Sequence, residues 1–253
     1  MISHEFAVAD PPAVEVDART ASIVLERGPA GAVSVHIDTK HPDDWVVSRH
    51  GDSISVRDDG GGWRLRGGSA RVRIAVPDGT AAVLTTGSGD VSVLVSTGRT
   101  AVTTASGDVR VGIAAALTVK TASGDVTIDR VAGDVNVKSA SGDVQAASVG
   151  GELHSSSASG DVRVEQLHGD ARIATASGDI RVARFEGGSF SANTVSGDVW
   201  LGVPSGRSVD LDVKTLSGDV RLPERRSGAT EATRSRVSVR VKSVSGDFRL
   251  ERA

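Results

Sequence analysis

Aromatic residues are scarce in this chain: four Phe, three Trp and no Tyr amount to 3% of 253 residues. A large globular core usually draws on such side chains, each of which buries roughly 150–250 Å². Their scarcity predicts a narrow interior filled with Val, Ile, Ser and Thr. Cysteine is absent, which excludes disulfides, thiolate metal sites and cysteine nucleophiles. No stretch approaches the roughly 20 apolar residues that span a bilayer as a helix. The start, Met1 to Phe6, lacks a basic segment followed by an apolar run. No signal peptide is therefore expected, and the expected location is the cytoplasm. Apolar residues at helical spacing are missing too, so almost no α-helix is expected.

What the chain has in quantity is glycine, 30 residues of it, and the tripeptide Ser-Gly-Asp. The tripeptide occurs nine times, at Ser88, Ser106, Ser123, Ser141, Ser159, Ser177, Ser196, Ser217 and Ser245, with spacings of 18, 17, 18, 18, 18, 19, 21 and 28. A fixed period of this size is the mark of a solenoid, in which each unit buries its apolar face only against its neighbours.

Residues 118–135 show one unit. Val119, Thr121 and Ser123 alternate with Lys120 and Ala122, and Val126 and Ile128 alternate with Thr127 and Asp129. Period-2 alternation of β-branched residues predicts half-buried strands. The glycines Gly124, Gly142, Gly160 and Gly178 supply a positive φ at the turns. A weaker echo, Gly133-Asp134, Gly151-Glu152 and Gly169-Asp170, divides each unit into two strands. The expectation is an all-β, single-stranded parallel β-helix or β-solenoid of about 18 residues per coil. A right-handed coil is expected, as strand crossovers usually have that hand. The inward columns are Val109, Val126, Val144, Val162, Ile180, Val199, Val220 and Phe248. Beside them run the hydroxyls of Thr104, Thr121, Ser139, Ser157, Thr175, Thr194, Thr215 and Ser243. Arg110, Arg163, Arg181, Arg221 and Arg249 form an outward column.

The same stacking places Asp90, Asp108, Asp125, Asp143, Asp161, Asp179, Asp198, Asp219 and Asp247 in one row. Like charges about 5 Å apart repel by roughly 1 kcal/mol per pair in water-like surroundings, so something must offset them. The expected role is structural, each carboxylate capping turn amides beside the arginine column. A calcium row is the other reading, but one acid per turn is few for a cation that takes 6–8 oxygens. No cofactor or metal is expected. The histidines His4, His36, His41, His50, His154 and His168 form no ligand pair by spacing.

The ends depart from the repeat. Residues 1–82 lack Ser-Gly-Asp, but short strands are predicted at 14–16, 23–25, 33–37, 45–47, 54–56 and 72–76. This region reads as irregular opening coils that cap the solenoid, with Trp45 and Trp63 as cap packing. Residues 83–222 read as the regular solenoid, and 223–253 as a basic insertion followed by the terminal coil, all in one continuous domain. Residues 1–62 carry 5 Lys/Arg against 11 Asp/Glu, and residues 199–253 carry 11 against 7. Opposite-sign ends can attract different partners, or copies of the same chain. Near the C-terminal end the outward column Ala105, Ala122, Ala140, Ala158 and Ala176 changes to Val195, Leu216 and Val244. Trp200 takes a place usually held by Arg or Thr, and Arg225, Arg226, Arg234 and Arg236 make the insertion basic. Val195, Trp200, Leu216, Arg225, Arg226, Arg234, Arg236 and Val244 are the candidate partner contacts.

The repeated string Thr-Ala-Ser-Gly-Asp-Val, in coils of this length over residues 83–250, resembles a bacterial β-strand-repeat family labelled as adhesins, a domain of unknown function. The resemblance implies a single-stranded parallel β-helix, often secreted or membrane-tethered, with no established enzymatic activity. The leading reading is a non-enzymatic scaffold or adhesin-like binding module whose partner is a protein or itself. A carbohydrate-active β-helix enzyme and a self-assembling filament are the alternatives, and carbohydrate stays open as a ligand. Nucleic acid is not expected, because the arginines interleave with aspartates and lack a row of stacking aromatics.

Overall fold

The computed structural model describes residues 1–9, 11–60, 70–223 and 236–253. Trp63, Arg225, Arg226 and Arg234 lie outside the described residues. Strands dominate, and among the described residues the one helical element is a short 3-10 turn at Pro42–Asp44. No described helix is long and apolar enough to cross a membrane. The chain packs as two units, Met1–Ala132 and Gly133–Ala253.

In the second unit each coil is a pair of strands joined by the Ser-Gly-Asp turn. Strands Leu153–Ser159 and Val162–Leu167 make one coil, and Ala171–Ser177 and Ile180–Phe185 make the next. They stack in parallel and in register: Leu153 beside Ala171, Ser159 beside Ser177, and Val162 beside Ile180. The inward columns are buried, with Val162, Ile180 and Phe190 each 0% exposed. Phe185 and Phe190 meet edge to face at 5.5 Å between centroids.

All nine Ser-Gly-Asp glycines have positive φ, between 118° and 151°. At Gly160 a second constraint acts. A Cβ there would lie 2.2 Å from the carbonyl oxygen of Gly142 on the neighbouring coil. The turns approach one another so closely that only hydrogen fits between them. The serine of the tripeptide, expected inward, is exposed from Ser106 onward, because the chain has begun to turn and alternation no longer holds. The residue two before it is the buried hydroxyl. Its bond goes within its own coil rather than to a neighbouring one: Thr121 donates to the Ser123 carbonyl at 3.0 Å, and Thr175 to that of Ser177 at 3.1 Å.

The order of coils is not the order of the sequence. Strand Ser189–Ser196 pairs with Arg236–Ser245, which in turn pairs with Ser208–Ser217. Likewise Val199–Val203 pairs with Phe248–Arg252, which pairs with Val220–Arg221. The last coil in the sequence is thus inserted between the two that precede it. The outermost coil of this unit is 208–221, not the coil of residues 223–253 expected from the sequence.

The first unit shows the same device. Strand Ala13–Arg27 pairs in parallel with Ser53–Asp58 and Ala70–Val76 on one side, and with Ala81–Ser88 and the start of Val91–Ser106 on the other. The predicted opening strands are therefore real, but the first coil in sequence lies inside the stack. The coil outside it is closed by antiparallel strands: Trp45–His50 lies along Ser53–Asp58, Ala32–Asp38 along Ala70–Val76, and Ile2–Ala7 along Ala32–Asp38. Antiparallel closure ends the parallel ladder and protects an edge that would otherwise recruit another strand.

Candidate binding surface

The aspartate row forms, and its chemistry is specific. In the second unit the Asp161 N–H donates to Asp143 Oδ1 at 2.9 Å, Asp179 to Asp161 at 2.8 Å and Asp198 to Asp179 at 2.8 Å. Because of the inserted coil, the series continues with Asp247 to Asp198 and then Asp219 to Asp247, both at 2.8 Å. Asp108 to Asp90 and Asp125 to Asp108 repeat it in the first unit. Asp90, Asp108, Asp143, Asp161, Asp179, Asp198 and Asp247 therefore each cap the aspartate amide of the neighbouring coil, not their own turn as expected. A charge-assisted bond per rung offsets the repulsion along the row. Among the described residues no group of three His, Asp or Glu side chains forms a metal-binding cluster.

Two residues after each aspartate the chain re-enters a strand, and the side chain points outward. In the second unit this position runs, coil by coil in space, Gln145, Arg163, Arg181, Trp200, Arg249, Arg221. Arg163 is held by Asp143 at 3.2 Å and by Asp161. Arg249 meets Glu251 at 2.6 Å, and Arg221 lies 3.6 Å from Asp219 and 3.8 Å from Asp247. Arg181 differs from these. Its guanidinium stacks 4.2 Å from the centre of the Trp200 ring, a cation–π contact worth about 0.5–2 kcal/mol. These residues line an open trough of about 480 Å³ whose acids are Asp179, Asp198, Asp247 and Glu251. Four arginines face four carboxylates, so the trough is rich in charge yet formally neutral.

On the other side of the turn lies an apolar stripe. The register that sets Ser196 beside Ser245 and Ser245 beside Ser217 also brings Val195, Val244 and Leu216 onto adjacent coils. They are 53%, 48% and 85% exposed. On these same three coils the buried hydroxyls of Thr194, Thr215 and Ser243 lack the bond their counterparts make. Of the candidate contacts, Val195, Trp200, Leu216 and Val244 are thus brought together along one turn edge. Arg236 is not among them: it is exposed at the start of its strand, beside Ser208 and away from the turn. The sequence reading placed the arginines in an outward column but did not single out Arg163, Arg181, Arg249 and Arg221. The signal was the fixed offset of two after each aspartate. What concealed the site was the coil order, which makes Arg249 rather than Arg221 the neighbour of Trp200.

The histidines lie elsewhere. His154 bonds Glu152 at 2.6 Å and His168 bonds Glu186 at 2.9 Å, both at exposed positions. Hydrogen bonds from Arg184 and then His168 hold the Glu186 carboxyl below its ordinary value.

The family described as Toastrack DUF4097 matches residues 13–251. No curated protein matches the chain. Among solved structures, a "putative lipid binding protein" from Parabacteroides distasonis is 13% identical, covers 99% of this chain and 93% of its own, and has a TM-score of 0.41. A "putative adhesin" from the same species is 10% identical, with 98% and 96% covered and a TM-score of 0.38. A "putative adhesin" from Bacteroides fragilis is 11% identical, with the same coverage and TM-score.

Proposed function

The chain belongs to the Toastrack DUF4097 family, and from that premise we propose that it is a non-enzymatic binding module whose contact surface is the turn edge of the last three coils of its second unit. One observation carries this reading. The departures from the repeat, scattered over residues 195–244 in sequence, converge on one edge: Val195, Val244 and Leu216 on one side of the turn, and Trp200, stacked by Arg181 of the neighbouring coil, on the other. A half-buried aromatic, arginines and an exposed apolar stripe are the composition of a contact surface. The carboxylates beside them do not form a catalytic pair. Asp179 and Asp198 each spend an oxygen on a backbone amide, and catalysis needs acids directed at a shared reacting atom.

The formal neutrality of the trough favours a partner that is polar but not polyanionic, which fits a protein surface. A saccharide is the second reading, favoured by the trough itself. An indole beside alternating guanidinium donors and carboxylate acceptors offers an apolar face and hydrogen bonds to a sugar ring. The test compares wild type with Trp200→Ala and with a triple variant that restores alanine at 195, 216 and 244. Binding is read on an arrayed set of oligosaccharides and by affinity capture from the native cell. Loss of a captured protein with the triple variant supports the protein partner, and loss of a glycan signal with Trp200→Ala supports the saccharide. A partner bound equally by all three chains would overturn the assignment of this edge.

A further inference from the structure

Among the described residues, the outermost coil of the second unit ends in an uncovered sheet edge. Among the described residues, strand Ser208–Ser217 is paired on one side only, with Arg236–Ser245, and Val220–Arg221 only with Phe248–Arg252. Its inward residues carry the alternation of a core but are not enclosed. Val209, Leu211 and Val213 are half-buried, while their neighbours Val237, Val239 and Val241 are at most 1% exposed. Val220 is 46% exposed beside Phe248 at 2%. A long edge with apolar inward positions is a template for another strand.

The strand's own sequence specifies that partner. It reads Ser-Val-Asp-Leu-Asp-Val-Lys-Thr-Leu-Ser from Ser208 to Ser217. Laid antiparallel on a second copy of itself with Val213 opposite Val213, it sets Asp212 against Lys214 at two symmetric places and Leu211 against Thr215. Centring on Asp212 or on Lys214 would put like charges on the axis, and centring on Leu211 would oppose Asp210 to Asp212 twice. A shift by one residue would turn the apolar face outward. Within its own chain Lys214 lies beside Lys242 in the ladder and makes no ion pair with a carboxylate among the described residues. Asp212 meets Arg240 at 3.3 Å. The second copy's Asp212 would supply the missing counter-charge.

We propose that this chain forms a two-fold dimer by antiparallel pairing of Ser208–Ser217 with the same strand of a second copy, in the register centred on Val213. The pairing is isologous, so it closes at two copies and does not propagate into a filament. It stands independently of the partner assigned to the turn edge.

Light scattering on the full chain across a concentration series tests it. A dimer is expected in wild type. Lys214→Glu faces Asp212 with a like charge and is expected to raise the dissociation constant about tenfold. The double variant Asp212→Lys/Lys214→Glu restores the opposition and is expected to return it to near the wild-type value. Because the chain has no cysteine, Val213→Cys gives a second, clean measurement. Opposed residues at the centre of an antiparallel pair stand within disulfide reach, so mild oxidation should cross-link Val213→Cys and leave a Val209→Cys control uncoupled. A wild type monomeric at every concentration overturns the proposal. So do assemblies that keep growing with concentration, a double variant as weak as Lys214→Glu, or cross-linking equal at both cysteine positions.

Discussion

The two units end their stacks in opposite ways. In the first, the outermost coil of 53–58 and 70–76 is covered by antiparallel strands, and Ile54, Val56, Val72 and Ile74 are all 0% exposed. In the second, no strand among the described residues lies beyond the outermost coil of 208–221, and its equivalent positions are half-exposed. The residue types are the same, β-branched and alternating. What differs is the direction of the next strand. The parallel coil at 53–58 and 70–76 is buried because antiparallel strands lie over it, and the described coil at 208–221 has no such cover. The same repeat chemistry therefore yields a covered end in one unit and, among the described residues, an uncovered one in the other.

The largest effect that can test this contrast lies in the turns. Gly246 and Gly218 have similar φ, 142° and 151°, and at each a Cβ would lie 2.1 Å from a neighbouring glycine carbonyl. Gly246 is on the inserted coil with neighbours on both sides, whereas Gly218 is on the bare coil and can shift outward. Gly246→Ala is expected to cost about 3 kcal/mol or more, and Gly218→Ala about 1 kcal/mol, in denaturant unfolding. Equal losses would mean that the outer coil is as confined as the inner one. Next in size are the cores. Ile54→Ala at the covered end should cost about 3 kcal/mol, while Leu211→Ala at the bare end should cost about 1 kcal/mol in dilute protein. A loss at Leu211 that grows with protein concentration would show that a second copy covers it.

Smaller effects test the aspartate row. Asp198→Ala strips the acceptor from the Asp247 amide and should cost about 1 kcal/mol, while Asp198→Asn keeps an acceptor and should cost less than about 0.5 kcal/mol. Asp219 holds no described amide beyond it, so Asp219→Ala should be close to neutral by thermal melting. The same logic makes added calcium, or a chelator, without effect on the melting temperature, because the row's oxygens already serve amides. The smallest effect is in acid. At the covered end burial raises the Asp58 carboxyl, but the hydrogen bonds from Arg19 and the Gly60 amide, together with the Arg19 charge, more than reverse it, and the value is lowered. A folded value below the unfolded one stabilises above about pH 4 and is lost as pH falls through the folded value. Asp58→Asn should therefore lose less stability than wild type on acidification below about pH 4. An identical acid limb in the two proteins would remove the pair from the account.

Period and alternation carried the fold. The spacing of Ser-Gly-Asp located the turns, and the β-branched alternation located the buried columns, including the predicted strands at 54–56 and 72–76. Three features were not legible. The serine's exposure depends on where the strand gives way to the turn, which alternation does not mark. The aspartate's partner lies one coil away, and a local motif describes only its own turn. Coil order depends on which parallel edge a strand joins, and the Val-Ser-Val of 237–239 offers the same edge chemistry wherever it inserts. Because of that order the trough at Trp200 draws on Arg249, a residue 49 positions on, and no spacing argument reaches it. The spacing of 28 before Ser245 was the visible trace, since a strand that inserts between two earlier coils does not keep the period of the repeat.

The inserted coils bear on how this protein is made. In an ordinary repeat array each new unit docks on the last, and the loss of a terminal unit leaves a shorter but sound array. Here residues 208–221 have no seat until 236–252 have emerged, because those final strands are what they rest on. Strand Ala13–Arg27 must likewise wait for coils on both sides. A chain that stopped fifteen residues early would lack an inner layer rather than an end, leaving one coil with no neighbour and another with its buried face open. Docking of residues 236–252 and completion of the second unit's stack are thus one event, and a chain lacking those strands would present as misfolded rather than as a working fragment.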